Sequence, residues 1–170
     1  MKAVGLLNSV DRLYSMSIEV SKMIQIVQGN LLDADDRDII LQQVNCCGVM
    51  GSGIAKQIRE RYPEIYNSYK YFCDSHRILR QSLLGKVHYY STPEYVIANC
   101  FGQYSYGRDG RQYTDYDALR ECFTTVACNK AERIGIPFQI GCGLGGGDWE
   151  VVYNMICEIF DGMDVKIYKI

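Results

Sequence analysis

Residues 141–148 (Gly-Cys-Gly-Leu-Gly-Gly-Gly-Asp) most narrow the choice of fold, since five of the first seven are glycine. They follow an apolar run that predicts a strand at residues 136–140, and they precede a helical pattern that starts at Trp149. Glycine has a high entropic cost in an ordered loop, so a physical constraint must favour it here. Backbone N–H groups with no Cβ beside them can converge on a phosphate at the positive end of a helix. The stretch therefore predicts an anion-binding turn.

A second loop of the same kind, residues 45–53 (Asn-Cys-Cys-Gly-Val-Met-Gly-Ser-Gly), follows a strand predicted at residues 39–44. Ligands of open α/β sheets bind at the carboxyl ends of the strands, where both loops are expected. Two such loops suit a diphosphate better than a single phosphate. The alternative is that both are tight turns whose glycines only provide positive φ angles.

The common nucleotide-binding motifs fit neither loop. Gly141, Gly143 and Gly146 have the spacing of the dinucleotide fingerprint. A Rossmann domain, however, places that turn in its first βα unit, whereas only one helix and one strand are predicted after it here. Neither loop is followed by the Lys-Ser/Thr pair of a P-loop.

Strand and helix signals alternate along the rest of the chain. Further strands are predicted at residues 24–27, 86–90, 95–100 and 165–170. Helices are predicted at residues 52–62, from Pro63, from Thr114 or Asp115, and at residues 149–160. The third helix is expected to carry Ile134 on its apolar face and to end at Gly135. This alternation predicts an α/β fold whose mostly parallel or mixed sheet is covered on both faces.

The composition favours one ordinary globular domain. The chain has 170 residues, of which 48% are hydrophobic and 22% charged, close to the globular average. Lys plus Arg (18) against Asp plus Glu (20) give a net charge of −2. A general nucleic-acid-binding domain normally has a basic excess, so that class is not expected.

The eight cysteines are scattered, with no Cys-x-x-Cys pair and only two histidines. Free thiols in a reducing compartment explain this pattern better than disulfides or a zinc site. No signal-peptide pattern and no membrane-spanning apolar run is found. We therefore expect a cytoplasmic protein with no membrane partner, in which residues 1–22 are an N-terminal extension and residues 23–170 the compact domain.

Three segments of the chain resemble the macro domain family, and they occur in the family's order. They are residues 28–32 (Gln-Gly-Asn-Leu-Leu), Asn45 with residues 48–55 (Gly-Val-Met-Gly-Ser-Gly-Ile-Ala), and residues 140–144 (Ile-Gly-Cys-Gly-Leu). The resemblance extends from about Met23 to Ile170. It implies a three-layer α/β/α fold with a mixed central sheet and with ADP-ribose bound in a cleft over that sheet.

The same resemblance implies the ligand-binding residues. The turn of Gly29, Asn30 and Leu31 would meet the adenine. Asn30 stands where most members have an acid, and its amide oxygen can still accept from the adenine amino group. Asn45 would reach the distal ribose. The diphosphate would be held by Gly48, Val49, Met50, Gly51, Ser52, Gly53 and Ile54 in one loop and by Gly141, Cys142, Gly143, Leu144 and Gly145 in the other.

The branch of the family bears on the reaction. Relatives that remove terminal ADP-ribose carry a catalytic lysine after the strand equivalent to residues 95–100, near the place where this chain has Gln103, which is expected to contact the ligand. Some also carry an acid where this chain has Gly145. The patterns at residues 99–103, 106–116 and 145–149 resemble instead the ADP-ribose 1″-phosphate phosphatases.

That second resemblance implies hydrolysis of ADP-ribose 1″-phosphate to ADP-ribose and phosphate, with no metal or other cofactor. Asp148 is the residue predicted to activate water, and Asn45 would fix the ribose. Two other functions stay open: a non-catalytic reader of ADP-ribose, and a hydrolase that removes ADP-ribose from modified protein or nucleic acid. The sequence does not specify an oligomeric state.

Several of these residues also have a purely structural interpretation. Asp148 is a preferred helix N-cap. Cys46 and Cys142 lie near predicted helix N-termini, where a thiol pKa tends to fall, and His88 is a candidate acid or base. Loop residues that could cover the ligand or bind a terminal phosphate, or simply pack, are Tyr104, Tyr106, Tyr113, Tyr116, Arg108 and Arg111.

Overall fold

A six-stranded sheet forms the centre of the computed structural model, which describes residues 24–170. The extension predicted at residues 1–22 lies outside the described residues. The strand order is β1-β6-β5-β2-β4-β3, and all neighbours are parallel except β3, which is antiparallel to β4. The strands are β1 (Ile24–Gln28), β2 (Ile39–Asn45), β3 (Val87–Ser91), β4 (Val96–Gln103), β5 (Arg133–Pro137) and β6 (Asp164–Lys169).

Two helices cover each face of the sheet. Successive side chains of a strand point to opposite faces, so in β2 the side chain of Ile40 packs with α1 and α2, whereas that of Leu41 packs with α3 and α4. This arrangement confirms the predicted three-layer α/β/α fold with a mixed sheet. The helices are α1 (Gly53–Arg61), α2 (Pro63–Ser75), α3 (Tyr116–Ala127) and α4 (Trp149–Ile159).

The end of the third helix differs from the prediction. Helix α3 stops at Ala127, and Ile134 and Gly135 lie in β5. A Cβ atom on Gly135 would lie 2.7 Å from Leu31 Cδ1 and 3.1 Å from Ile40 Cγ2. Glycine therefore allows close packing in the middle of a buried strand, and it does not end a helix.

Strand ends also differ from the prediction, at the positions that shape the ligand side of the sheet. β5 ends at Pro137, before the predicted Ile140, and a turn follows in which Gln139 has a φ of 58°. β4 continues past the predicted Cys100 to Gln103. The pairing of β2 with β4 shifts register between Gln43 and Asn45, which places Gln103 opposite Asn45. Such a bulge locally bends a strand and redirects its side chains.

Replacing Gly135 with valine should destabilise the fold, because the added carbons have no room beside Leu31 and Ile40. Overpacking of this kind costs about 1–3 kcal/mol, and each kcal/mol lowers the melting temperature by roughly 2–4 °C in a domain of this size. Thermal unfolding followed by circular dichroism measures the change. Gly143→Ala is the matched control, since a Cβ at Gly143 would meet no described atom within 4 Å. Equal melting temperatures for Gly135→Val and wild type would contradict the packing argument.

Candidate functional site

A cleft of about 770 Å³ lies at the carboxyl ends of the five parallel strands. Asn45 at the end of β2, Gln103 at the end of β4 and Pro137 at the end of β5 line it, with Leu31 after β1 and residues 168–170 at the end of β6. Small-molecule sites typically enclose about 300–1,000 Å³. The cleft therefore has the size and the position in the sheet expected of a nucleotide-derived ligand site.

The first glycine loop forms one wall of the cleft and ends at the N-terminus of α1. Gly51, Ser52, Gly53 and Ile54 line the cleft there. Ser52 occupies the N-cap position but makes no side-chain capping hydrogen bond. The first amide groups of a helix have no partner within the helix and carry a partial positive charge. The start of α1 therefore offers uncapped N–H groups to an anion in the cleft.

The second glycine loop lines the same cleft through Gly141 and residues 143–145. Within residues 24–170, no acceptor binds the backbone N–H groups of Gly143, Leu144 and Gly145. By contrast, the N–H of Gly147 donates to the carbonyl of Gly141 at 3.0 Å and so closes the turn. The cleft thus has available backbone donors on this loop as well as at α1, the arrangement that suits a diphosphate.

Gln43 joins the parts of the site beneath these loops. Its Nε2 donates to Gln103 Oε1 at 2.7 Å and to Thr114 Oγ1 at 2.8 Å. The Thr114 hydroxyl donates in turn to the carbonyl of Gly141 at 2.6 Å. Gln43 Oε1 is buried and accepts no hydrogen bond from the described residues. One side chain of β2 therefore connects β4, the segment before α3 and the second glycine loop.

Packing within the protein requires glycine at some positions of the second loop and not at others. A Cβ on Gly145 would lie 2.5 Å from both Gly141 O and Thr114 Oγ1, and one on Gly146 would lie 2.7 Å from Arg111 O. These two glycines are therefore required by packing within the protein. Gly143 has open space around its Cβ position and no positive φ, so packing among the described residues does not require glycine there.

Comparison with known proteins agrees with this geometry. Residues 42–156 match the model of the family described as Macro domain. The chain belongs to the macro domain family.

Two curated relatives of this macro domain carry enzyme names. The DNA ADP-ribosyl glycohydrolase of Mycobacterium tuberculosis is 30% identical over 155 residues, which cover 86% of this chain and 42% of that protein. The ADP-ribose 1″-phosphate phosphatase of Aspergillus oryzae is 36% identical over 76 residues, which cover 45% of this chain and 31% of that protein. The chain thus spans about two-fifths of the length of the first curated relatives it matches.

Solved structures show the same fold. The macrodomain of Mycobacterium tuberculosis DarG is 29% identical, with a TM-score of 0.72, and the match covers 87% of this chain and 98% of that one. The macrodomain of Thermus aquaticus DarG is 26% identical with a TM-score of 0.70, over 87% and 99% of the two chains.

Most of the predicted ligand residues line the cleft of this macro domain, and five do not. Met50 is fully buried in an apolar cluster with Val44 and Tyr69, and Cys142 packs against the core beneath α3 and α4. The predicted residues that line the cleft are Leu31, Asn45, Val49, Gly51, Ser52, Gly53, Ile54, Gln103, Gly141, Gly143, Leu144 and Gly145. Those that do not are Gly29, Asn30, Gly48, Met50 and Cys142.

The Asn45 side chain organises the first loop from inside the cleft wall. Its Oδ1 accepts from Cys47 N at 3.0 Å and from Val49 N at 3.2 Å, and its Nδ2 donates to Val49 O at 2.6 Å. Tyr69 Oη also donates to the Asn45 carbonyl at 2.5 Å. A carboxamide has two N–H donors, so one remains available for a ligand.

Asn30 is committed to local structure and lies outside the cleft lining. Its Oδ1 caps a short 3-10 turn by accepting from Leu32 N at 3.0 Å, and its Nδ2 donates to Gln57 Oε1 at 3.3 Å. The capping bond uses one acceptor position of this oxygen, and the predicted contact of Asn30 with adenine stays a prediction. Gln57 lines the cleft instead, and its place on α1 gave no motif from which sequence could have identified it.

Asp148 lies at the N-cap of α4, exposed and outside the cleft lining. Its Oδ1 accepts from Glu150 N at 2.8 Å and from Val151 N at 3.4 Å. Its own N–H donates to Tyr116 Oη at 2.8 Å. This position satisfies the capping interpretation, and the predicted role of Asp148 in activating water stays a prediction.

The thiols do not have the acidity expected from their positions. Burial raises the pKa of Cys46 to about 12, and burial together with the nearby Asp148 carboxylate raises the pKa of Cys142 to about 11. The expected fall in thiol pKa is therefore wrong in direction, because desolvation outweighs the effect of the helix ends. Both groups are protonated thiols near neutral pH, which is unfavourable for nucleophilic catalysis.

His88 belongs to a polar row on the opposite side of the sheet from Gln43. The Gln42 amide donates to Asn99 Oδ1 at 2.6 Å, Asn99 Nδ2 lies 3.1 Å from His88 Nδ1, and His88 Nε2 lies 3.3 Å from Ser68 Oγ. Burial lowers the pKa of His88. His88 does not line the cleft, so the row gives it a structural place and no contact with the ligand site.

Substitutions at Gly143 and Gly145 separate ligand binding from loop packing. Gly143→Val should leave the melting temperature within about 2 °C of wild type, because a Cβ at this position meets no described atom within 4 Å. It should abolish ADP-ribose binding, because the branched side chain would occupy the space beside the free N–H groups. Gly145→Val should lower the melting temperature by several degrees, because its Cβ would collide with Gly141 O and Thr114 Oγ1. Calorimetric titration and thermal unfolding of both variants give the two readouts. Normal ADP-ribose binding by Gly143→Val would show that this part of the loop does not touch the ligand.

Proposed function

We propose that this macro domain binds ADP-ribose, with the diphosphate between the N-terminus of α1 and the second glycine loop. The observation that carries the proposal is the pairing of an uncapped helix N-terminus at Ser52 with the free N–H groups of residues 143–145 on one cleft. Two sets of backbone donors can share the charge of two adjacent phosphates. Family membership supports the same ligand.

The sheet order gives the bound ligand a direction. Leu31, Phe138 and Tyr168 line the half of the cleft formed by β1, β6 and β5. Asn45 and Gln103 line the half formed by β2 and β4. The first half is the more apolar and suits the adenine, whereas the carboxamides of the second half suit the hydroxyl groups of the distal ribose.

We further propose hydrolytic release of a substituent carried at the 1″ position of the distal ribose. Among the described residues that line the cleft there is no Asp, Glu, His or Cys. A general base from this set is therefore not part of the proposal. The protein would act by positioning the reacting atoms and by placing amide dipoles where charge develops, with Asn45 and Gln103 orienting the ribose.

Two substituents at C1″ are candidates. A phosphate would give the reaction ADP-ribose 1″-phosphate plus water to ADP-ribose plus phosphate. This candidate is supported by Gln103, near the place where relatives that remove terminal ADP-ribose carry a lysine, and by the partial phosphatase relative. A DNA base is the second candidate, supported by glycohydrolase relatives that match 86% of this chain. A chain that binds ADP-ribose but cleaves neither would be a reader.

Calorimetry and an activity panel test the proposal together. ADP-ribose should bind at least about tenfold more tightly than AMP, because AMP lacks one phosphate and the distal ribose. Product release is then followed with ADP-ribose 1″-phosphate, with ADP-ribosylated single-stranded DNA and with ADP-ribosylated protein. Equal affinity for AMP and ADP-ribose would remove the diphosphate site from the proposal, and absence of product from all three substrates would leave binding alone.

Asp148→Asn tests whether catalysis needs the predicted carboxylate. Asn caps a helix about as well as Asp, and the carboxylate lies outside the cleft lining. We therefore expect turnover within about twofold of wild type, compared with the loss of about 10²-fold or more that follows removal of a general base. Asp148→Ala is the control for capping, with an expected cost of about 1 kcal/mol in stability. A fall of about 10²-fold in Asp148→Asn at unchanged stability would return Asp148 to the mechanism.

A further inference from the structure

The ligand cleft continues into a second cavity at its distal-ribose end. This cavity, of about 330 Å³, shares Gly107, Arg108, Gly143 and Leu144 with the cleft and is completed by Arg111 and two further glycines. It lies against the loop that follows β4, residues 104–113 (Tyr-Ser-Tyr-Gly-Arg-Asp-Gly-Arg-Gln-Tyr), which we call the rim loop. A group attached to the distal ribose would reach this loop first.

Half of the rim loop is held in place by its own contacts. Asp109 accepts from Arg111 Nε at 2.6 Å and from Tyr113 Oη at 2.9 Å. The N–H of Tyr113 donates to Gly145 O at 2.7 Å, and Gly107 packs directly on the Tyr113 ring. The loop is therefore a preformed wall of the cleft, fixed to the second glycine loop.

The side chains of Tyr104, Tyr106 and Arg108 do not take part in these contacts. Tyr104 and Tyr106 are 43% and 52% exposed, and within residues 24–170 neither hydroxyl makes a hydrogen bond. Arg108 forms no ion pair with the described residues, whereas Arg111 is paired with Asp109. Two exposed aromatic rings two residues apart thus precede an unpaired guanidinium. Tyr106 lines the cleft, Arg108 lines both cavities, and Tyr104 lies on the same loop outside both linings.

We propose that the rim loop is the binding surface for a nucleic-acid single strand that carries the ADP-ribose in the cleft. Bases of a single strand stack on exposed aromatic rings without regard to sequence, and arginine binds the neighbouring phosphates. An extended peptide would instead use an open strand edge or apolar pockets, neither of which the rim loop offers. This proposal rests on the proposed binding of ADP-ribose and adds the class of molecule attached to it.

The net charge of −2 gives the chain no general attraction for nucleic acid. One unpaired arginine gives little long-range attraction, so a strand without ADP-ribose should bind weakly. Once ADP-ribose occupies the cleft, the attached strand is held at a high effective concentration beside the rim loop, and weak stacking then adds to the affinity. Selectivity for modified over unmodified DNA follows from this arrangement.

The test measures how well four competitors displace a fluorescent ADP-ribose analogue from the protein. The signal is recorded before any substrate is hydrolysed. The competitors are ADP-ribose, a single-stranded DNA of about 10 nucleotides with one ADP-ribosylated base, the same DNA unmodified, and an ADP-ribosylated peptide. The modified DNA should bind about tenfold or more tightly than ADP-ribose, the scale of one stacked base. The unmodified DNA should compete only weakly, and the peptide should bind like ADP-ribose alone.

Variants of the rim loop test whether this surface causes the higher affinity for modified DNA. Tyr104→Ala should reduce the ratio of modified-DNA affinity to ADP-ribose affinity by about fivefold or more, and Tyr106→Ala should reduce the same ratio. Arg108→Gln should reduce the salt dependence of DNA binding by a slope of about 0.7 per phosphate contact. Tyr71→Ala is the control, because Tyr71 is an exposed tyrosine on α2, 77% accessible, that lines neither cavity.

The outcomes separate this proposal from the proposed function. Three results would overturn the strand-binding surface alone, provided that ADP-ribose itself binds. The attached DNA could add no affinity, the attached peptide could add as much as the DNA, or the added affinity could persist in Tyr104→Ala and Tyr106→Ala. Failure of ADP-ribose itself to bind would overturn both proposals.

Discussion

The Gln43 carboxamide is the interaction on which the ligand site depends. Its two donated hydrogen bonds reach Gln103 on β4 and Thr114 ahead of α3, and Thr114 extends the connection to Gly141. The backbone segments at Gln103, Thr114 and Gly141, which are far apart in sequence, are thereby held next to one another above the sheet. Two of the loop's glycines are needed because the loop packs so closely on Thr114 and on the segment before α3. The arrangement of the cleft wall thus depends on one polar side chain of β2.

The two helix N-termini beside the glycine loops are used differently, and this difference gives the cleft its electrostatic character. The start of α4 is capped by Asp148, whose carboxylate offsets the positive end of that helix. The start of α1 has no side-chain cap. An anion in the cleft is therefore attracted by α1 and by the free amides of residues 143–145, and α4 contributes chiefly as a support for the loop.

Sequence predicted the fold well and the site in part. Periodicity located the six strands and the four α-helices of residues 24–170, and the glycine loops located the cleft, because those signals are local. Gly135 was misassigned to a helix end, since only the approach of Leu31 shows why a strand needs glycine there. Asn30 has its oxygen used by Leu32, which no motif reveals. Gln43 was overlooked because its importance comes from partners about 60 and 71 positions away and not from its neighbours in sequence.

The polar row of Gln42, Asn99 and His88 has a consequence for how the strands are aligned. These residues face one another across β2, β4 and β3 in register, between two apolar clusters. A slip of one residue would place a buried carboxamide against hydrocarbon and turn every side chain to the opposite face. The same slip would remove Gln43 from Gln103. The adjacent glutamines of β2 therefore divide two tasks: Gln42 locks the alignment from the side of α1 and α2, and this lock delivers Gln43 to its partners on the other side.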